Sequence, residues 1–396
     1  MSGIFNTRLP KILIALGLLA SALAFGRYMD LKAHFRDMVR WPLKIVCFDR
    51  FGCNGNWPLE PFQEVHGIGN TAGEFQQSGQ GSPYFHMGLD IMDQVPATNA
   101  FALTQVDGIP IQIPTSTSYC ANKCQIQLLV DPAIKNIQAY VHLEWQSLAQ
   151  SIRDAHDRYT TNNDDPNARV RAGSQISKLY PWPSCGYTHL HFEDCDDAGC
   201  TDPAGRLFPM KSDNALELKS ITFWTNDSNP PTTRFPSAGL FPGINTTTVS
   251  GAVDIIVEAN DRNHVKTGLG MMMLLSYKTG VWKARYEIRD AADALVKSST
   301  MNFDRVPTHD DDEIASSVFF DSKSDYCTDE HYSYIVTNVA CESSSCEIRM
   351  ATVDAIGKQF AWDTTRHPNG NYVVTVTVED FTGNALSRTE RVMISN

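Results

Sequence analysis

Between Trp57 and Met210 the chain is cut into short runs in which apolar and polar residues alternate. Phe101 to Val106, Gln125 to Val130, Ile137 to His142 and Thr188 to Phe192 are the clearest, and Gly, Pro and Asn punctuate them. A period of two is the period of a β-strand, whose successive side chains leave opposite faces. Many short strands separated by turn residues predict an all-β domain. One stretch departs from this pattern. Leu143 to Arg158 sets Leu143, Leu148 and Ile152 at roughly helical spacing, and a polar run from Thr160 to Asn167 follows. A helix and an exposed loop inserted into the β domain are expected there.

From about Leu216 the character changes. Asn226 to Pro231 reads as a linker or loop, and Asn369-Gly370 and Thr382-Gly383-Asn384 read as turns. Ala252 to Ala259 and Tyr372 to Asp380 are strongly alternating strands, which together predict a β-sandwich of immunoglobulin or fibronectin type. That region is long for one sandwich, so insertions are expected around Thr308 to Glu313 and the last cysteines. The acidic run His309 to Glu313 lacks the spacing of a calcium loop and reads as a solvated loop. The expected organisation is a leader (1–24), an N-terminal segment (25–56), a β domain (57–212) and a β-sandwich with insertions (213–396).

The charge balance is acidic, 33 Lys plus Arg against 45 Asp plus Glu. That speaks against a nucleic-acid partner, which a basic face would serve. Arg8 and Lys11, the apolar run Ile12 to Ala24 and the small-x-small string Ala22-Leu23-Ala24 read as an export signal. The run is short for a membrane span, so no stable span is expected after cleavage; an uncleaved anchor is the rival reading. The protein is thus expected to be periplasmic or extracellular. Ten cysteines follow: Cys47, Cys53, Cys120, Cys124, Cys185, Cys195, Cys200, Cys327, Cys341 and Cys346. An even number in an exported chain suggests disulfides, with Cys47–Cys53, Cys120–Cys124 and Cys341–Cys346 as natural local pairs. A structural zinc site is the alternative, and only Cys120 with Cys124 has ligand-like spacing. No sequence feature sets an oligomeric state.

The chemistry is concentrated in the histidines. His189-Leu190-His191 puts two imidazoles on one face of a strand, and Glu193 shares that face if the strand continues. His86 and Asp90 lie about a hundred residues earlier, with His142 between. A lone histidine is more often a core residue than a ligand, and an HxH pair alone is weak. Three such strings in order are another matter. Two imidazoles met by a histidine and a carboxylate can close around zinc, and a catalytic zinc keeps three protein ligands and one open position.

At these residues the chain resembles the lysostaphin-type (LytM-like) zinc metalloendopeptidases, many of which cut peptidoglycan cross-bridges. Tyr84 to Ile91 is similar to the first motif, H-x-G-x-D, and Gln105 to Gly108 to the turn after it. Leu128 to Asp131 with Tyr140 to Leu143 resembles the central strands. Val170 to Ile176 resembles a following turn, Gly186 to Glu193 the final motif and Asp202-Pro203 the closing pair. The resemblance covers roughly residues 60 to 210. It implies His86, Asp90 and His191 as zinc ligands, and His142 and His189 as non-ligand catalytic histidines. It also implies a fold of two half-barrel-like sheets of the duplicated hybrid (barrel-sandwich) type, with a groove for an extended peptide. Glu193 stands as a partner to a ligand or as a solvated residue. The Glu144 to Asn167 insertion, the Pro183-Ser184-Cys185-Gly186 turn and the extra Cys195 and Cys200 depart from the family pattern.

The expected function is therefore exported zinc endopeptidase action on the peptide of bacterial peptidoglycan. The alternatives are a non-catalytic regulator or adaptor of cell-wall hydrolases, and a secreted protease acting on proteins. Regulators of this kind commonly lose ligand positions, and none is lost here.

Overall fold

The computed structural model describes residues 56–77, 83–93, 100–114, 125–181, 188–197, 199–207, 216–228, 231–241, 244–264, 276–306, 315, 318, 332–338 and 360–396. The expected signal peptide and most of the N-terminal segment lie outside them. So do Cys47, Cys53, Cys120, Cys124, Cys185, Cys327, Cys341, Cys346 and the acidic run 309–313. Among the described residues no helix is long and apolar enough to cross a membrane.

The fold is all-β with one α-helix among the described residues. Its first part holds β1 (Gly67–Asn70), β2 (Phe75–Gln77), β3 (Pro83–Phe85), β4 (Leu89–Met92), β5 (Phe101–Leu103) and β6 (Ile109–Gln112). There follow β7 (Ile126–Asp131), β8 (Asn136–Val141), β9 (Gln175–Lys178), β10 (His189–Asp196) and β11 (Gly199–Thr201). The main sheet runs β1-β4-β10-β8-β7-β6, with β11 added beside β10 and the short strand Arg305–Val306 beside β11. β2 pairs with β3 and β5 with β9 as separate two-stranded pieces. The half-barrel pair implied by the resemblance thus takes the form of one open eight-stranded sheet flanked by two small ones.

Alternation along β4, β8 and β10 divides this sheet into two faces. Leu89, Ile91, Tyr140, Leu190 and Phe192 point into one core with Trp57, Leu59 and Ile152. Each such side chain contributes roughly 1.5–3 kcal/mol on burial. The opposite face carries Asp90, His189, His191 and Glu193.

The helix α1 spans Gln150–Thr161, not Leu143 onward. The chain before it is still committed to the sheets: Leu143 bridges Leu179, and the Glu144 and Ala149 N–H groups donate to the Lys178 and Ile176 carbonyls. A single 3-10 turn, Trp145–Ser147, lies between these bonds, and the α-helix starts only after them, burying Ile152 and Ala155.

The second part places two six-stranded sheets around one core. One is built on the long strand Ala252–His264, which pairs with Glu217–Thr225; the other is built on Lys283–Arg289, Gly370–Glu379 and Ala385–Ile394. Val253, Ile255 and Val257 of the first meet Tyr286, Ile288, Val374, Val376 and Val378 of the second. This core also takes in Phe75 and Phe85 of the β2–β3 hairpin. Arg305 makes a two-pronged ion pair with Asp196 (2.7 and 3.0 Å) across the same junction.

Candidate metal centre

His86 lies in the link between β3 and β4, and Asp90 on β4 itself. Gly88 makes the link possible. A Cβ added there would stand 2.3 Å from the Phe192 carbonyl oxygen, so only glycine lets the two backbones approach this closely. In the antiparallel pairing of β4 with β10, Asp90 is directly opposite His191 and Met92 opposite His189. Cross-strand partners share a face, which brings the first and last motifs together.

His86 Nε2, Asp90 Oδ1 and His191 Nδ1 form a small triangle. Its edges are 3.1 Å (His86–Asp90), 2.9 Å (His191–Asp90) and 2.9 Å (His86–His191). Zinc bonds of about 2.0–2.1 Å place ligand atoms about 3.3 Å apart in a tetrahedron, so these atoms need to separate by only a few tenths of an ångström. His86 and Asp90 are buried, whereas the His191 and Glu193 side chains keep 14% and 24% of their exposure, so the centre opens on the His191 side.

The outer nitrogens settle the ring tautomers. His86 Nδ1–H donates to the Thr71 carbonyl at 3.0 Å, and His191 Nε2–H donates to Glu193 Oε1 at 2.9 Å. Each bond fixes the outer proton, so that giving up the inner proton shared with Asp90 exposes a lone pair toward the triangle, the arrangement by which outer partners orient metal-ligating imidazoles. The donor set of two imidazoles and one carboxylate fits zinc.

The electrostatics favour a cation at the triangle. Burial alone would raise the Asp90 carboxyl, but the charges of His86 and His189 and the hydrogen bonds from His191 and His86 hold it well below the usual carboxylate range. Burial would lower His191; the hydrogen bonds and charges of Asp90 and Glu193 outweigh it and push the imidazole up to about 10.

His189 sits on the same face, its Nε2 3.7 Å from Asp90 Oδ1. His142 reaches the group by a less regular route. Tyr140 points into the core, so a continued strand would send His142 the same way. Its φ of 65° instead ends β8 and breaks the alternation. The His142 ring then meets the His189 ring at 4.8 Å and the His191 ring at 6.0 Å between centroids. A strained non-glycine residue of this kind is commonly found where a side chain must be aimed at a functional site.

All six positions singled out from the sequence (His86, Asp90, His142, His189, His191 and Glu193) are thus brought into one neighbourhood. Glu193 bonds to a histidine of the triangle. Thr71 was not visible in the sequence, because it acts through its main-chain carbonyl. Of the cysteines, Cys195 and Cys200 form a disulfide between directly opposed positions of β10 and β11. Glu193 lies close to these two sulfurs, but their bond to each other leaves no thiolate for a metal.

No family model matches the chain, and no curated protein matches it. Among solved structures it is similar to the solution structure of lysostaphin, at 15% identity and a TM-score of 0.22, over 52% of this chain and 96% of that one. The functional reading therefore rests on the geometry of the site and on the motif strings.

Proposed function

We propose that this chain is an exported zinc metalloendopeptidase that hydrolyses the peptide cross-links of bacterial peptidoglycan. The observation that carries the reading is the convergence of His86 Nε2, Asp90 Oδ1 and His191 Nδ1, each imidazole held with its inner nitrogen toward the triangle by its outer hydrogen bond. Zinc bound by these three atoms would supply an acidified water and a Lewis acid for the scissile carbonyl.

The protein's own residues do the rest. Thr71 and Glu193 keep the outer protons of the two ligand imidazoles in place. Asp90 offsets part of the positive charge in a buried setting, which two neutral imidazoles alone would not do. His142 and His189 stand beside the triangle, where one imidazole can take a proton from the attacking water. The other, as an imidazolium, can donate to the developing oxyanion or to the leaving amine nitrogen. Histidine suits both tasks because its ordinary pKa lies near neutrality. The cell-wall peptide as substrate is supported by the motif strings, and export by the apolar N-terminal run and the Cys195–Cys200 disulfide.

The test is to express the chain under oxidising conditions and measure zinc per chain. Digestion of purified peptidoglycan is followed beside a panel of protein substrates, with His191→Ala in parallel. The reading expects one zinc and wall-peptide cleavage, both lost in the variant. Cleavage of proteins but not of the wall would move the assignment to a secreted protease. Absence of both zinc and cleavage would overturn the enzyme reading in favour of a regulator.

A further inference from the structure

The turn that holds His86 is itself held from the other end of the chain. Thr71 and Glu74 bracket a tight reversal between β1 and β2, in which the Thr71 carbonyl accepts from His86 Nδ1. The same reversal is tied to the His86 backbone: Gly73 N–H donates to the His86 carbonyl (2.8 Å) and His86 N–H to the Glu74 carbonyl (2.7 Å).

The Glu74 side chain is fully buried, and among the described residues five donors converge on it. Oε1 accepts from Thr71 N–H (2.7 Å), Thr71 Oγ1–H (2.6 Å) and Gly280 N–H (2.7 Å). Oε2 accepts from Asn70 Nδ2–H (2.8 Å) and from the Tyr332 hydroxyl (2.9 Å). Three of these bonds grip the residues of the turn. The other two come from the C-terminal β region. Charge-assisted bonds of this kind are the stronger class, and in a buried setting they fix geometry.

Packing enforces the same register. A Cβ at Gly73 would meet the Phe303 ring at 2.6 Å, and one at Gly280 would meet Glu74 Cγ at 2.9 Å and the Tyr334 hydroxyl at 3.2 Å. The turn is therefore encased by Gly280, Phe303, Tyr332 and Tyr334, all of them C-terminal.

We infer that Glu74 is a positioning residue for the metal centre: by clamping Thr71 to Gly280 and Tyr332, it makes the C-terminal β region part of the support of the ligand His86. This rests on the metal reading proposed above and deepens it. The C-terminal region then serves the site as its back wall as well as any binding role of its own.

The experiment uses the full chain and two readouts. One is zinc affinity by competition with a chelating dye. The other needs no metal: the NMR signal and solvent exchange of the His86 Nδ1 proton. Glu74→Ala is expected to lose about 10-fold or more in zinc affinity, the scale seen when outer partners of a ligand are removed, and to let the His86 proton exchange freely. Glu74→Gln still presents one oxygen to Thr71 and Gly280, and Asn70 and Tyr332 can each reorient to accept from its amide. It should retain both properties to within about threefold. Should Glu74→Ala not fold, Tyr332→Phe removes a single C-terminal bond, with an expected loss of about threefold in affinity and a shifted His86 proton.

A folded Glu74→Ala or Tyr332→Phe protein with wild-type zinc affinity and an unchanged His86 proton would overturn the inference. If the wild-type chain binds no zinc, it is the metal reading that fails. The His86 proton then decides the role of Glu74 alone.

Discussion

Two buried carboxylates lie on either side of His86. Asp90 is ringed by imidazoles, which can exchange their protons for a metal, and their charge holds its carboxyl well below the ordinary value. Glu74 is ringed by amides and hydroxyls, all of which donate to it and none of which is a ready metal ligand. Burial raises its carboxyl, and the bonds from Thr71, Asn70 and Gly280 together with the charge of His86 offset that rise without reversing it. On the proposed reading the same functional group serves as a ligand in one place and as a structural clamp in the other. The difference lies in whether its neighbours carry labile protons.

The sharpest way to break this comparison is Asp90→Asn. Zinc affinity should fall by more than the roughly 100-fold that loss of an outer partner can cost, and wall hydrolysis should drop to background. The metal-free fold should stay intact. Zinc per chain after dialysis against a chelator, beside a thermal melt, checks both halves. Failure of the fold would make Asp90 a clamp like Glu74.

Next comes pH. His191 is raised to about 10 in the folded protein against an ordinary value near 6.5, so the folded state binds this proton more tightly than the unfolded state. Its contribution to metal-free stability is complete below about pH 6.5 and is lost as pH rises through about 10. Denaturation midpoints across that window should decline for the metal-free wild type more steeply than for His191→Gln. Zinc and this proton compete for Nδ1, so zinc uptake at pH 7 should release about one proton, readable as a buffer-dependent heat in calorimetry.

Glu193→Gln is expected to cost about 10–100-fold in zinc affinity with the fold unchanged, since it weakens the acceptor for His191 Nε2–H. The last effect is steric and falls on the fold. Gly88→Ala would force the β3–β4 link away from the Phe192 carbonyl, at a cost of about 1–3 kcal/mol measured by chemical denaturation.

The site was legible in the sequence to the extent that its parts are local strings. His86, Asp90, His189 and His191 stand in motifs whose strand period can be read directly. His142 was legible only as part of a string. Its route into the site depends on a left-handed backbone at a residue that strand periodicity would send into the core. The start of α1 was displaced because Glu144 and Ala149 are spoken for by main-chain bonds to Lys178 and Ile176 of β9, and apolar spacing carries no trace of such bonds. Glu74 gave no signal at all. Two of its donors lie 206 and 258 residues away, and a solitary glutamate in a turn looks like any solvated one.

That separation has a consequence for how the protein is made. A chain synthesised from its N-terminus carries both histidine motifs by residue 191, yet Gly280 and Tyr332 do not exist until long afterwards. Contacts spanning most of the sequence are the last to form and the slowest to close. The contacts behind His86 are therefore available only once the chain has passed Tyr334, so a chain ending before Gly280 holds the histidine motifs without this back wall.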